Sequence, residues 1–445
     1  MISKKIEHII SEIIDQYCYA DTTERPWIIG FSGGKDSTVM LTLVWEALKR
    51  IRKMPMPFQL RRPIYVVCND TLVENPIIVE YTNRILNKIN TAAREQDLPV
   101  FVRKTIPRLE DSFWVNIIGK GYPVPNNAFR WCTDKLKIKP TSRFINEQVI
   151  ENGEAIILIG TRVSESSSRA KSIKKHEIRG KRLTKHPNQA NTFIYSPIKH
   201  LLLEEIWGFI NTHPSPWGAD NSELFKIYSD ASSDDYECPT LVTNKEHSSC
   251  GQSRFGCWTC TVVKEDKSMT ALINNGFEWL KPLLRLRNLL EIERNNIEIR
   301  MPTRRDGTRA INDMGTYLPS YRSHILKRVL EAQKEIQVAK PQLELITNQE
   351  LIAIQVKWNR DLYFDKKVSQ IYNEVFNIKI DMKDKQERQE KEQKLLLEAC
   401  ENNDQEYHLI QDLLQLQKSK TLMIRKRGLQ ADIENRLERF ILDKN

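Results

Sequence analysis

Between residues 31 and 37 the chain reads Phe31-Ser32-Gly33-Gly34-Lys35-Asp36-Ser37, and few folds accommodate that string. A short apolar run, Trp27-Ile28-Ile29-Gly30, precedes it. Thr38 to Leu48 follows, with helical periodicity and neither Pro nor Gly. The order predicts a strand, a glycine turn and a helix. Paired glycines allow a close approach of backbone to ligand. The first N–H groups of the helix, with its positive dipole end, then face an anion. Ser32 and Ser37 add hydroxyls and Lys35 a point charge, so the stretch reads as a phosphate cradle. It is not the common P-loop, which needs G-x-x-x-x-G-K followed by Ser or Thr.

Further strands are predicted at Ile64–Cys68, Val100–Arg103, Ala155–Ile159 and Phe193–Ile198. Helical stretches separate them, and Ile64–Cys68 is a continuous apolar run of the kind buried in parallel sheets. The expected fold is α/β, a doubly wound parallel five-stranded sheet. A helix over residues 1–25 carries Ile6, Ile9, Ile10, Ile13 and Ile14 on one face, with Cys18 as a core filler. Ligands collect at the carboxyl ends of such strands. Asp70, just past the second strand, is placed to meet a nucleotide or its metal, and reads equally as a helix N-cap. Arg162, past the fourth, can clamp phosphates bidentately or serve a structural ion pair.

Of eight cysteines, Cys238, Cys250, Cys257 and Cys260 fall within 23 residues. The C-x-x-C pair brings two thiolates within reach of one metal centre, and Cys250 lies on a Gly-containing loop able to fold back. Cys132 is the natural distant ligand, and Cys238 the substitute if Cys250 is not used. Four thiolates suit a [4Fe–4S] cluster or structural zinc, and spacing does not separate the two. A redox dithiol at Cys257 and Cys260 is a further reading. Arg130, Lys135 and Lys137 beside Cys132 favour its thiolate. Trp258 and Phe255 would shield a cluster, and Arg254 could donate to its sulfurs.

Net charge is +10 and the pI about 9.0, compatible with polyanionic partners. Seven of residues 169–182 are Lys or Arg against one Glu, without hydrophobic periodicity. This predicts a basic surface loop touching a polyanion, since the run begins at the expected site. Arg300, Arg304, Arg305 and Arg309 form a second basic patch. Residues 317–337 and 348–377 are predicted helical. Residues 382–394 are almost wholly charged or Gln, as in a solvated linker. Two amphipathic helices are expected beyond. The regions expected are 1–215, 216–330 and 331–445. Mean hydropathy is −0.50, there is no membrane-length apolar run and no leader-like start, so a cytoplasmic protein is expected.

S-G-G-K-D-S resembles the pyrophosphate loop of the ATP pyrophosphatase, or adenine nucleotide alpha hydrolase, superfamily. N-D-T-x-x-E-N-P and R-W-C-T-D-K-L-K resemble its phosphoadenylyl sulfate reductase branch, and G-T-R-x-x-E-S-x-x-R its second nucleotide segment. With S-R-F-G-C-W-T-C, the set over residues 20–330 resembles the DNA phosphorothioation sulfurtransferases of the DndC type and their SspD relatives. The resemblance implies ATP hydrolysis to AMP and pyrophosphate, which activates a DNA backbone phosphate for sulfur insertion. Ser32, Gly33, Gly34, Lys35, Asp36 and Ser37 would hold the nucleotide with Gly160, Arg162, Glu165 and Arg169. Lys35, Asp36, Asp70 and Arg162 would act in catalysis, with Mg2+ near Asp36 or Asp70. Cys132, Cys250, Cys257 and Cys260 would ligate a [4Fe–4S] cluster. Implied partners are DNA, a cysteine desulfurase as sulfur donor and other subunits of the modification complex. Two rival readings are a phosphoadenylyl or adenylyl sulfate reductase and a non-catalytic iron–sulfur DNA-binding scaffold. The reductase pattern E-C-G-I-H is not matched, the last cysteine being Cys400 in Glu-Ala-Cys-Glu. The intact loop argues against the scaffold.

Overall fold

A computed structural model describes residues 2–19, 24–54, 60–177, 180–230, 256–305, 308–361, 366–378, 395–400, 403, 405–407, 409–410, 413 and 437. Its centre is a six-stranded sheet in the order β3-β2-β1-β4-β6-β5. The strands are β1 (Trp27–Gly30), β2 (Ile64–Asn69), β3 (Val100–Thr105), β4 (Ala155–Leu158), β5 (Leu183–Lys185) and β6 (Thr192–Tyr195). All neighbours are parallel except β5, which runs antiparallel to β6. The five parallel strands are those the apolar runs predict. The sixth is new. Residues expected to be a basic loop instead form a helix, α5 (Ser167–His176), and then β5. The correction has a physical reason. β6 would otherwise leave a row of backbone groups open at the sheet edge, and a three-residue pairing closes it whatever its hydrophobic pattern.

β1 lies between β2 and β4, with Trp27 opposite Ile64 on one side and Ile156 on the other. On one face α1 (Ile2–Cys18), α2 (Lys35–Arg52) and α3 (Pro76–Glu95) join Trp27, Ile29, Ile64 and Val66 in a first core. α6 (Leu203–Thr212) and α7 (Asn221–Asp230) complete it. Cys18 packs against this core, as expected of it. On the other face α4 (Lys139–Asn152) covers Ile28, Val67 and Ile157. Helices on both faces explain why the central strands β1, β2 and β4 are almost wholly apolar.

A second core lies off the sheet. Phe113–Ile118, Trp131 and Leu136 meet Trp258, α8 (Lys267–Asn274), α9 (Lys281–Glu293), α10 (Pro319–Gln337), α11 (Asn348–Arg360) and α12 (Val368–Phe376). The helix expected over 348–377 is therefore two, α11 ending at Arg360. Two segments of this core, Val115–Gly119 and Thr133–Ile138, are π-helical, a form concentrated at functional sites. Compact units comprise residues 1–377 and 378–445. In the second unit Cys400 is buried. Among the described residues no helix is long and apolar enough to cross a membrane.

Trp358 of α11 is fully buried and its indole N–H donates to the Ile118 carbonyl at 2.8 Å. Trp358→Ala opens a cavity and orphans that carbonyl, so a loss of about 3–5 kcal/mol is expected. Urea unfolding of the purified variant measures it, and a loss under 1 kcal/mol would contradict this account of the second core.

Candidate functional site

The loop after β1 is held open by absent side chains. Gly33 has φ +75°, and a Cβ there would fall 2.8 Å from the Thr82 hydroxyl of α3. Gly160, past β4, crosses directly over the loop. Its Cβ would lie 3.2 Å from the Asp36 carbonyl carbon and 3.3 Å from Ser37 N. Ser37 Oγ donates to the Gly34 carbonyl at 2.9 Å, and Ser32 Oγ accepts from Gly34 N at 3.3 Å. The two hydroxyls therefore shape the turn, with Ser32 exposed at its rim. Gly34 starts α2 with no side-chain cap, which leaves the first turn able to take an external acceptor.

Lys35 and Asp36 turn inward and are almost wholly buried. Arg162 reaches from the β4 side and its Nε donates to Asp36 Oδ1, while its Nη1 donates to Ser164 Oγ at 3.1 Å. Lys35 Nζ lies 3.8 Å from Asp36 Oδ2. That oxygen is buried without a hydrogen bond. Burial pushes the Asp36 carboxyl up, against the pull of Arg162, Lys35 and Arg169. One turn on, Arg169 pairs with Glu165. Burial raises Glu165 too, with Arg169 opposing and Asp36 adding to the rise. The structure thus brings Ser32 to Ser37, Gly160, Arg162, Glu165 and Arg169 to one end of the sheet. Asp36 Oδ2, a buried carboxylate oxygen without a hydrogen bond in the first turn of α2, is the donor type that suits a Mg2+ ion, which takes one or two carboxylates and completes its shell with phosphates and water.

Asp70 belongs to a different group. Its carboxylate accepts from Leu72 N at 2.9 Å, with Lys104 at 3.7 Å. The helix it was expected to cap is capped by Asn75, which accepts from Ile77 N at 3.1 Å. Its charge acts on Glu74, on the cysteine side, where burial pushes the carboxyl up to about 7. There Thr71 Oγ1 lies 3.4 Å from Cys257 Sγ, and Trp258 N donates to the Val73 carbonyl at 3.0 Å. Cys260 N donates to the Cys257 carbonyl at 3.0 Å, so the C-x-x-C forms one turn. Burial pushes the Cys257 thiol up to about 12, against Lys137. Cys132 opens the π-helical segment that carries Lys137, and both Cys132 and Cys257 pack against the second core. Trp258 is buried there, 5.9 Å from Trp114. Cys238, Cys250, Arg254 and Phe255 lie outside the described residues. Among the described residues no three His, Cys, Asp or Glu side chains are grouped to hold a metal. Cys132, Cys257 and Cys260 are thus described as thiols on neighbouring segments, not as a formed ligand set.

Three contributors carry no sequence signal. The Tyr228 hydroxyl of α7 accepts from Lys35 N at 3.3 Å, and the Lys35 ammonium stands 5.1 Å from the Tyr228 ring. The phenol thus sits where an anion on the first turn of α2 would sit. Arg287, 1 % exposed, donates to the carbonyls of Cys260 at 2.9 Å and Lys264 at 2.7 Å, and also to that of Val263. Arg294 donates to the Thr261 carbonyl. A buried arginine clamping loop carbonyls looks, in sequence, like any other helix arginine. Arg300, expected in a basic patch, is likewise buried and donates to the Gly315 and Met314 carbonyls.

Arg162→Ala removes the counter-charge of a buried carboxylate and should cost about 3–5 kcal/mol at neutral pH. The sign with pH follows. Without Arg162 the folded Asp36 carboxyl rises further above its unfolded value near 3.9. Protonation then favours the folded state, so the deficit shrinks as pH falls toward 4. Denaturation of wild type, Arg162→Ala and Arg162→Ala/Asp36→Asn at pH 4.5 and 8 checks it. The double variant should recover most of the loss at pH 8. A pH-independent deficit with no recovery would refute the pairing.

Residues 26–263 match the family described as the phosphoadenosine phosphosulfate reductase domain. An uncharacterized protein of Methanocaldococcus jannaschii is 27% identical over 194 residues, 44% of this chain and 33% of the relative, so the chain spans about a third of that relative's length. Among solved structures, phosphoadenylyl-sulfate reductase of Candida auris aligns with a TM-score of 0.29 at 13% identity, covering 50% of this chain and 90% of that one. The U34-tRNA thiolase NcsA of Methanococcus maripaludis, solved with its [4Fe–4S] cluster, aligns at 0.30 and 14%, covering 65% and 80%. FMN adenylyltransferase of Candida glabrata aligns at 0.29 and 14%, covering 48% and 62%. With more than half of its length matched to that one family, the chain belongs to the phosphoadenosine phosphosulfate reductase domain family.

Proposed function

We propose that this protein is an ATP pyrophosphatase that activates a DNA backbone phosphate for replacement of an oxygen by sulfur. The observation that carries the reading is the placing of two chemistries at adjacent strand ends. The phosphate cradle follows β1, and the Cys257–Cys260 turn docks on the segment after β2, the parallel neighbour of β1. A non-bridging phosphodiester oxygen is a very poor leaving group. Its attack on the α-phosphorus of ATP breaks the bond to the β-phosphate, releases pyrophosphate and leaves a mixed anhydride with AMP. A hydrosulfide-level sulfur can then displace AMP, the phosphorus keeping its valence and gaining sulfur.

In this scheme the loop amides and Lys35 hold the departing pyrophosphate, and Arg162 and Arg169 neutralise charge on the other side. Asp36 is the residue that would hold Mg2+, which would supply charge neutralisation to the pyrophosphate. Cys132, Cys257 and Cys260, with Cys250 or Cys238, are the residues that would hold a [4Fe–4S] cluster, a group suited to sulfur or electron relay. Arg287 and Arg294 fix the carbonyls of that turn, and Thr71 and Lys137 face Cys257. A cysteine desulfurase is the proposed sulfur source. It hands sulfur on as a persulfide, whose release at the hydrosulfide level takes two electrons from an external thiol reductant. Further subunits of a modification complex are the proposed partners. The basic run that starts at Arg169 beside the loop and continues to the β5 hairpin supports a polyanionic acceptor.

The decisive test is pyrophosphate release from Mg-ATP by anaerobically purified protein, with and without oligonucleotide, alongside iron and labile-sulfide analysis. DNA-stimulated release, lowered at least 100-fold by Lys35→Ala, is expected. Cys132→Ala and Cys257→Ala should lose iron and keep the release. Sulfite formed from an adenylyl sulfate would overturn the reading in favour of a reductase, and stoichiometric zinc without iron would overturn the cluster.

Tyr228 adds a sharper prediction. A phosphoryl oxygen reaching Lys35 N must displace the phenol, at a cost of about 1 kcal/mol for one hydrogen bond. Tyr228→Phe should therefore tighten ATP binding about fivefold by calorimetry. Weaker binding would instead make the hydroxyl a ligand of the nucleotide.

A further inference from the structure

A cleft of about 1060 Å3 opens beside the phosphate cradle, between α1, α5 and the β5–β6 hairpin. Its inner end is formed by Thr161 and Arg169, which follow Gly160. From there it runs outward under the hairpin. Seven lysines and arginines and three histidines line it, against two glutamates. Several of the cations are already engaged: Lys5 with Glu205, Arg25 with Glu154, Arg182 with Asp15 and Lys199 with Glu177. Lys181 and Lys185 are different. Both are exposed on the hairpin and have no acidic partner among the described residues. The floor is apolar, made by Ile9, Ile173 and Leu183 with the Phe193 ring, over which Arg25 stands at 4.9 Å.

Two buried hydroxyls lining the cleft lack a hydrogen-bond partner. Tyr195 is 3% exposed and Thr161 8% exposed, and neither oxygen is satisfied. A buried hydroxyl without a partner is costly, and a ligand able to donate or accept there would relieve it. The ligand must therefore be anionic at the rim, flat and apolar in its middle, and polar at its inner edge. Small-molecule pockets span about 300–1,000 Å3, so this cleft exceeds what one mononucleotide requires.

We propose that this cleft seats a single polynucleotide strand. Its bases lie on the apolar floor within reach of the Tyr195 and Thr161 hydroxyls. Its phosphates pass along Lys181 and Lys185, and the strand delivers one backbone phosphate to the Thr161–Arg169 end. The delivery of that phosphate to the activating site rests on the function proposed above. The seating of the strand does not.

DNA and RNA share this chemistry, and separate arms distinguish them. The full-length chain is titrated with fluorescent 12-mer single strands of DNA and of RNA, and with a 12-mer DNA duplex, at 50–200 mM salt. ATP binding is measured on the same preparations. Lys181→Glu/Lys185→Glu should weaken single-strand binding at least tenfold and lower the salt slope by about 0.7 to 1.4, as expected for one to two phosphate contacts on a single strand. ATP affinity should stay within twofold, which also shows that the variant is folded. Tyr195→Phe keeps the ring and should weaken the strand about threefold with an unchanged salt slope. The arm with the tighter single strand identifies the sugar. Unchanged strand affinity and slope in the charge reversal would overturn the inference, as would a preference for duplex or equal competition by a poly-glutamate peptide. Strand binding that depends on Lys181 and Lys185 without any pyrophosphate release would sink the activation chemistry and leave the cleft standing. Pyrophosphate release stimulated by DNA but indifferent to these residues would do the reverse.

Discussion

The buried contact between Asp36 and Arg162 ties the site together. Asp36 opens α2 directly after β1, and Arg162 follows β4. A carboxylate buried to this degree is unfavourable alone. The guanidinium makes it tolerable, so the loop after β1 and the segment after β4 cannot be placed independently. Gly160 enforces the same coupling sterically, since any side chain there would press on the Asp36 carbonyl. Charge and shape together select one approach of the two segments.

A parallel sheet converts sequence order into neighbourhood at its carboxyl edge. β1 and β2 are adjacent, so whatever follows them is adjacent too. The segment after β2 does not carry the thiols itself. It offers the Val73 carbonyl and the Thr71 hydroxyl, on which a turn from residues 257–260 docks by backbone and side-chain contacts. Arg287 and Arg294 of the α9 region hold the far side of that turn through its carbonyls. The cysteine turn is therefore an insertion clamped between the sheet and the second core. Its position near the loop follows from strand order, while its rigidity follows from two arginines 27 and 33 residues downstream of the carbonyls they hold.

This division explains what could be seen in the residues alone. The five parallel strands were legible because burial on both faces demands continuous apolar runs, and Ile64–Cys68 and Ala155–Ile159 satisfy that locally. The Ser32–Ser37 turn was legible because its glycines and its helix start serve one backbone geometry. β5 was not, because Leu183-Thr184-Lys185 pairs to satisfy the edge of β6 and has no pattern of its own. Tyr228 was not, because its role arises only from α7 packing over α2 through Trp207, which meets its ring edge-on at 5.1 Å. The cap of α3 was hidden for a related reason. Two acceptors, Asp70 and Asn75, precede α3, and the tight turn that Asp70 closes at Leu72 (φ +64°) leaves Asn75 to cap the helix.

The same reasoning gives the edge hairpin a second consequence. A short charged edge strand is a common protection against pairing between chains, and β5 serves that end with Lys185 at its tip. Protection alone does not require α5 to turn back from the site before the hairpin forms. Because Arg169 must face Glu165 and the loop, α5 begins at the phosphate cradle and carries the chain outward along the sheet edge. Arg169, Lys181 and Lys185, described residues of the basic run, line the cleft beside it. Cations spaced beyond the cradle are what the proposed polymer strand requires, whereas a small anion would be served by the cradle alone. The extended form of the cleft is in this sense a product of the Arg169–Glu165 contact at its inner end.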